Sequence, residues 1–133
     1  METAHKILVV YGMVSLTVGF LLGLPLSQAR TQAPVAPHHL VTAHLSAIIQ
    51  GAVHLGLSVA VAFSSLTPWL ETTAAGLLIV GSALFVAGAV VNWRQDIGDH
   101  FAVRSLGWKL LATSSIGHLP GMAIVLTGVL TAM

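Results

Sequence analysis

Four runs of apolar residues, parted by short polar segments, take up nearly all of this chain, and each is long enough to cross the hydrocarbon of a bilayer as a helix. They cover about residues 7–24, 40–63, 73–93 and 110–130. A span needs roughly 20 residues, so 133 residues have room for four spans joined by short loops, with little left over for a soluble domain. The expectation is one all-α domain over residues 1–133, a four-helix transmembrane bundle with the lipid bilayer as its solvent, placed as a multi-pass protein of the inner (plasma) membrane. Charged residues make up only 7%, against roughly a quarter in soluble domains. A net charge of +1 excludes a basic nucleic-acid surface. With no cysteine, disulfides, thiolate metal sites, iron-sulfur clusters and thioether-attached haem are excluded together.

Along the chain, the first span is expected to end at Pro25, with Gly19-xxx-Gly23 offering a groove for a neighbouring helix. Ser27 to Arg30 also reads as a small-residue cleavage site, but the apolar run before it exceeds that of a usual signal peptide. Residues 26–37 read as a Pro-interrupted interfacial loop, and His38 and His39 as an interfacial anchor rather than a chelate. Thr42 is a candidate N-cap for the second span. Ser64 to Trp69 form a turn with an interfacial Trp, leading through Glu71 into the third span. There Gly81, Phe85, Gly88 and Asn92 recur at helical spacing, a stripe available to face the second span, and Gln95, Asp96 and Asp99 would extend it. Residues 94–109 read as an interfacial or aqueous connection. In the fourth span Pro120, within GHLPG, is expected to bend the helix and free carbonyls near His118. Arg30, Arg94, Arg104 and Lys109 lie toward one side and Lys6 toward the other, so the positive-inside rule puts both termini outside.

The second span carries the feature that hydrophobic packing alone does not explain. At about 100° per residue, His44, Ala47, Gln50, Gly51, His54 and Ser58 fall within a sector of roughly 120°, flanked by Ile48, Ile49, Val53 and Leu55. Hydrocarbon satisfies no hydrogen bond, so such a stripe must face protein, water or a cofactor. Three histidines lie within spans: His44, His54 and His118. A lone intramembrane histidine commonly only donates to a carbonyl of the next helix. His44 has more to suggest a ligand role, because Gly51 two turns on would let a planar group approach the backbone.

His44 and His54 are ten residues apart, about 15 Å along one helix, too far to grip both faces of one iron. Bis-histidine ligation would need another helix, with His118 the obvious partner. Iron held by His44 alone keeps an open face and acts as a Lewis acid on a substrate oxygen. No Cys, intramembrane carboxylate or Ser-His-Asp spacing supplies a rival nucleophile.

Ala43-His44, five residues, then Gln50-Gly51 resembles the A-H-x5-N-G element of the styrene oxide isomerases and hydroxylaminobenzene mutases. Val18 to Leu26, VGFLLGLPL, resembles the end of the mutases' first helix, and Val91-Asn92-Trp93 resembles their A-N-W. The likeness covers spans one to three. It implies a small membrane isomerase, a homotrimer, binding haem b (ferric iron) through His44, with Ala47 and Gly51 beside the cofactor. By the same resemblance Gln50, in place of the family Asn, positions the substrate oxygen, and Asn92 and His54 are further candidates for the pocket or for proton transfer. The epoxide enzymes use a third-helix Tyr, whereas the single Tyr here is Tyr11 in span one. The implied reaction is therefore the redox-neutral conversion of an aryl hydroxylamine to an aminophenol, with aryl epoxide to aldehyde as the alternative.

Gln50 lies six residues, about 9 Å, along the helix from His44. It cannot easily reach the far face of iron on its own His44, so a neighbouring subunit's Gln50 is expected to do so, with the haem at the subunit interface. A membrane cytochrome b using His44 and His118, and a cofactor-free scaffold or small transporter, are the competing functions.

Overall fold

The computed structural model describes residues 2–98 and 104–133. These form α1 (Glu2–Gln32), α2 (His38–Val61), α3 (Pro68–Arg94) and α4 (Leu106–Ala132), with no strand among the described residues. All four helices are long and apolar enough to cross a membrane, so the protein is an all-α, multi-pass four-helix bundle. With 24 to 31 residues the helices measure roughly 36 to 46 Å at 1.5 Å per residue. They exceed the hydrocarbon thickness of about 30 Å, and their polar ends reach into the headgroup layers.

The helix limits differ from those read off the apolar runs, each for a local reason. Pro25 does not end α1, which continues to Gln32. A proline withholds one N–H from a helix, and the polar residues that follow still pair their own backbone groups; Ala33 N–H donates to the Ala29 carbonyl at 3.1 Å. Residues 26–32 are thus helix rather than loop. Thr42 is not the N-cap of α2, which begins a turn earlier after Pro37; its hydroxyl donates back to the His38 carbonyl at 3.1 Å. α3 stops at Arg94, and Asp96 takes a left-handed φ of 49°, so Gln95 and Asp96 do not extend the helical stripe. Asp99 lies outside the described residues. α4 starts from a Ser105 N-cap that accepts the Trp108 N–H, and runs unbroken through Pro120.

Small residues decide which helices pair. Gly12, Ser15, Gly19 and Gly23 bring α1 against His44, Ala47 and Gly51 of α2, antiparallel. A Cβ on Gly51 would sit 2.9 Å from the Gly12 carbonyl oxygen, and one on Gly19 would sit 3.1 Å from the Ile48 nitrogen. Such backbone approach is how membrane helices gain dispersion energy without a hydrophobic driving force. The Gly81/Gly88/Asn92 stripe does not face α2. It packs on α4, where Cβ atoms on Gly81 and Gly88 would meet the carbonyls of Ser114 and Gly107 at 2.8 and 2.7 Å.

The result is two glycine-lined hairpins, α1–α2 and α3–α4. They meet mainly through α2 and α3, while α1 and α4 are not in contact. Near the Ser64–Trp69 turn the joint is apolar, built from Ala4, Leu8, Leu57, Val61, Ala74, Ala75, Leu78 and Val125. Phe20, Leu24, Ile49, Ile116 and Leu119 point outward, as lipid-facing residues do. The up-and-down order brings the ends bearing Arg30, Arg94, Arg104 and Lys109 to one side, opposite Lys6.

Candidate functional site

The polar stripe expected on α2 is divided by the fold between two neighbours. His44 turns toward α1 and donates from Nδ1 to the Gly19 carbonyl at 2.8 Å. Its ring occupies the space a side chain at position 23 would fill, with Cε1 only 3.3 Å from where a Gly23 Cβ would stand. A carbonyl can only accept, so this bond places a proton on Nδ1 and, in the neutral ring, leaves a lone pair on Nε2. Nε2 makes no hydrogen bond among the described residues, and the side chain is half-buried.

Ala47 and Gly51 share that α1-facing side but are filled by packing. Ala47 is fully buried, and its carbonyl accepts the Ser15 hydroxyl at 2.7 Å. A Cβ at Gly51 would lie 2.7 Å from Leu16 Cγ. Neither leaves room for a planar group inside this chain, and their smallness is explained by the approach of α1.

Gln50 and His54 turn the other way, into the joint between the hairpins. The Ser82 hydroxyl of α3 donates to Gln50 Oε1 at 2.8 Å, and lies 3.0 Å from His118 Nε2 of α4 and 3.5 Å from His54 Nε2. His54 Nδ1 donates to the Gln50 carbonyl at 2.7 Å, one turn back. From α1, the Tyr11 ring meets His54 edge to face, with centroids 4.8 Å apart. All four helices therefore contribute to one polar centre, and His54 and Ser82 within it are 1% and 0% exposed. Beside it an almost wholly apolar groove of about 300 Å³ runs between α1 and α3, lined by Tyr11, Val14, Val18, Val86 and Val90 among others.

Asn92 belongs to neither place. Its Oδ1 accepts the Ser105 hydroxyl at 2.6 Å and crowds Gly107, strapping the end of α3 to the start of α4. It is ten residues from Ser82, about 15 Å along α3, and does not join Gln50. Asn92 and Trp93 instead border a cleft of about 200 Å³ with His38, His39 and Asp96. The His38 and His39 rings stand edge to face there, and His39 Nε2 is buried without a partner among the described residues. Nor do His44 and His118 converge. His44 is seated on α1, whereas His118 packs on Gly81 of α3 and shares Ser82 with His54, some 15 Å along α2 from His44.

Ser82 and Tyr11 are the contributors that sequence reading missed. A serine in an apolar helix is commonplace, and only the convergence of α2, α3 and α4 gives it weight. Glu71 is expected from the sequence as the lead-in to the third span. It stands in the first turn of α3, 2% exposed, where a carboxylate suits the helix dipole. No group of three or more His, Asp or Glu side chains that could hold a metal ion gathers among the described residues. Fold and site define a four-helix membrane protein in which His44 is held by a carbonyl of the neighbouring helix and a separate polar centre is buried between the hairpins. No family model, curated protein or solved structure matches the chain.

Proposed function

We propose that the protein is a haem b-dependent membrane isomerase that rearranges a small aromatic substrate without net redox change, converting an aryl hydroxylamine to an aminophenol. The observation that carries this reading is the Nδ1–H bond from His44 to the Gly19 carbonyl. It fixes the tautomer and the ring plane, as the outer hydrogen bond of a metal-binding histidine does, and leaves Nε2 as an available donor to iron. Haem iron bound on one side only would supply a Lewis acid that polarises a substrate oxygen.

The rest of the work falls to this chain's own side chains. Gly19 and Gly23 hold the imidazole against α1. The Gln50 amide, whose oxygen is taken by Ser82, keeps its NH₂ to donate to an oxygen on the substrate. The apolar α1–α3 groove suits an uncharged aromatic body arriving from lipid. His44 and Gln50 face different neighbours on α2, which supports a site completed by a second copy, with haem between protomers of a homotrimer. The wide separation of His44 from His118 speaks against a bis-histidine electron carrier.

The test is purification in detergent with haem present, followed by absorption spectra of the wild type, His44→Ala and His118→Ala. A Soret band lost only in His44→Ala, and isomerisation of phenylhydroxylamine by the wild type, are the expected results. Colourless wild-type protein after haem supplementation, or a pigment indifferent to His44, would refute the proposal. Light scattering that finds a pigmented monomer would refute the shared site alone.

A further inference from the structure

Where α2 begins and α3 ends, several hydrogen-bonding groups are left unspent around one cleft. The cleft holds about 200 Å³ between His38 and His39 on one side and Asn92, Trp93 and Asp96 on the other. No side chain caps α2, and the backbone N–H groups of His38 and His39 meet no acceptor among the described residues. Such groups form the positive end of the helix dipole and favour an anion. His39 Nε2 is buried without a partner among the described residues, and a neutral ring that carries its proton there is a donor. Asn92 adds a second unspent side chain. It is 3% exposed, and Ser105 engages one end of its amide at 2.6 Å, while the other end makes no hydrogen bond among the described residues. Turning the amide exchanges its two ends, yet one of them is still left over beside the cleft.

The end of α3 does not supply the missing acceptors. Its last carbonyls are already taken: Val91, Asn92 and Trp93 accept from the N–H groups of Gln95, Ile97 and Asp96 at 3.0, 3.0 and 3.2 Å. What α3 does bring is charge. The Asp96 carboxylate stands at the cleft and makes no ion pair among the described residues. The Arg94 guanidinium lies 5.8 Å from the centre of the Trp93 ring that forms part of the wall. An anion-binding helix start therefore faces a carboxylate across a single cleft, at the end of the bundle where the helices leave the hydrocarbon and a Trp marks the interface.

From this juxtaposition we infer that the cleft binds the headgroup of an aminophospholipid of the phosphatidylethanolamine type, its phosphate at the start of α2 against His39 and the Asn92 amide, its ammonium at Asp96. Both charges are needed to match the cleft. A purely anionic head leaves the carboxylate facing another negative charge, and a choline head has no N–H to donate to it. A soluble phosphoethanolamine ester carries the same two charges, but the level of the cleft in the bilayer commits the site to lipid. No atom of His44 takes part, so the inference stands apart from the haem reading.

The experiment is native mass spectrometry of the full-length chain, released from a non-ionic detergent without added haem and titrated with phosphatidylethanolamine, phosphatidylglycerol or phosphatidylcholine of matched acyl chains. Affinity for the first retained lipid is the readout. Phosphatidylethanolamine should be held about tenfold more tightly than either competitor, the worth of one hydrogen bond to a charged group. His39→Phe, which keeps a ring but loses its N–H, should weaken that lipid by about tenfold, and His39→Gln, which keeps a donor, should restore most of it. Asp96 is exposed beyond the end of α3, so Asp96→Asn leaves the fold intact and should abolish the advantage over phosphatidylglycerol. Glycerophosphoethanolamine, the same head without acyl chains, should not displace the lipid at equal concentration. Equal affinities for the three lipids, a preference unchanged in His39→Phe or in Asp96→Asn, or a free head that binds as tightly as the lipid would each overturn the inference.

Discussion

Replacing Gly51 by alanine separates two accounts of why that residue is small. If Gly51 is small to admit α1, the added methyl group must find space between two backbones. Its Cβ would stand 2.7 Å from Leu16 Cγ, 2.9 Å from the Gly12 carbonyl oxygen and 2.9 Å from the Leu16 nitrogen, where ordinary contact begins at 3.4 Å. A side chain could swing aside, but two of these three atoms are backbone. The helices must therefore part by about half an ångström along several turns, loosening the Ser15 bond to the Ala47 carbonyl as they do. Overpacking of this kind costs roughly 1–3 kcal/mol. Gly56 is the control, because a Cβ there meets nothing within 4 Å; Gly56→Ala should be neutral or gain up to about 1 kcal/mol from helix propensity. Denaturant-detergent unfolding of the two variants, followed by circular dichroism, measures the difference. Equal stabilities for Gly51→Ala and Gly56→Ala would refute the packing argument. If the protein binds haem as proposed, a Gly51→Ala variant of wild-type stability with an altered Soret band would show that Gly51 borders that group instead.

Three further outcomes follow from the same geometry. Gly23→Val should drive the His44 ring from its seat, where even a Cβ would come within 3.3 Å of Cε1; on the proposed haem reading, occupancy measured by pyridine haemochrome should then fall by about tenfold or more, while the helical circular dichroism stays unchanged. Asn92→Ala removes the acceptor of the Ser105 hydroxyl from a residue only 3% exposed, so unfolding should cost about 1–3 kcal/mol less, with the absorption spectrum intact; lost pigment at full stability would restore Asn92 to the functional site. Ser15→Ala deletes one interhelical bond in the membrane and should lower stability by roughly 0.6 kcal/mol, a modest loss readable in the same unfolding assay.

Much of the architecture was legible in the order of residues. Four apolar runs joined by short polar segments leave a chain no option in lipid but helices that pair their own backbone groups. Their short links make neighbours antiparallel, which gathers Arg30, Arg94, Arg104 and Lys109 at one end. Helix limits were less legible. Pro25 and Pro120 are tolerated inside helices, and α2 starts at His38 although the apolar run begins later. Which face of α2 meets which neighbour was not legible at all. A 120° sector on a helical wheel treats His44, Ala47, Gly51, Gln50 and His54 as one stripe. The tertiary structure gives the first three to α1 and the last two to α3 and α4, because glycines at 12, 19 and 23 draw α1 against one edge while the α3–α4 hairpin closes on the other. Sequence alone therefore determined that polar groups lie within the membrane. Only the packing decided that the His44 Nε2 has no hydrogen-bond partner among the described residues while the buried His54 and Ser82 meet a half-buried His118, since a helix approach too close to admit a Cβ is a property of two helices and is written in neither one.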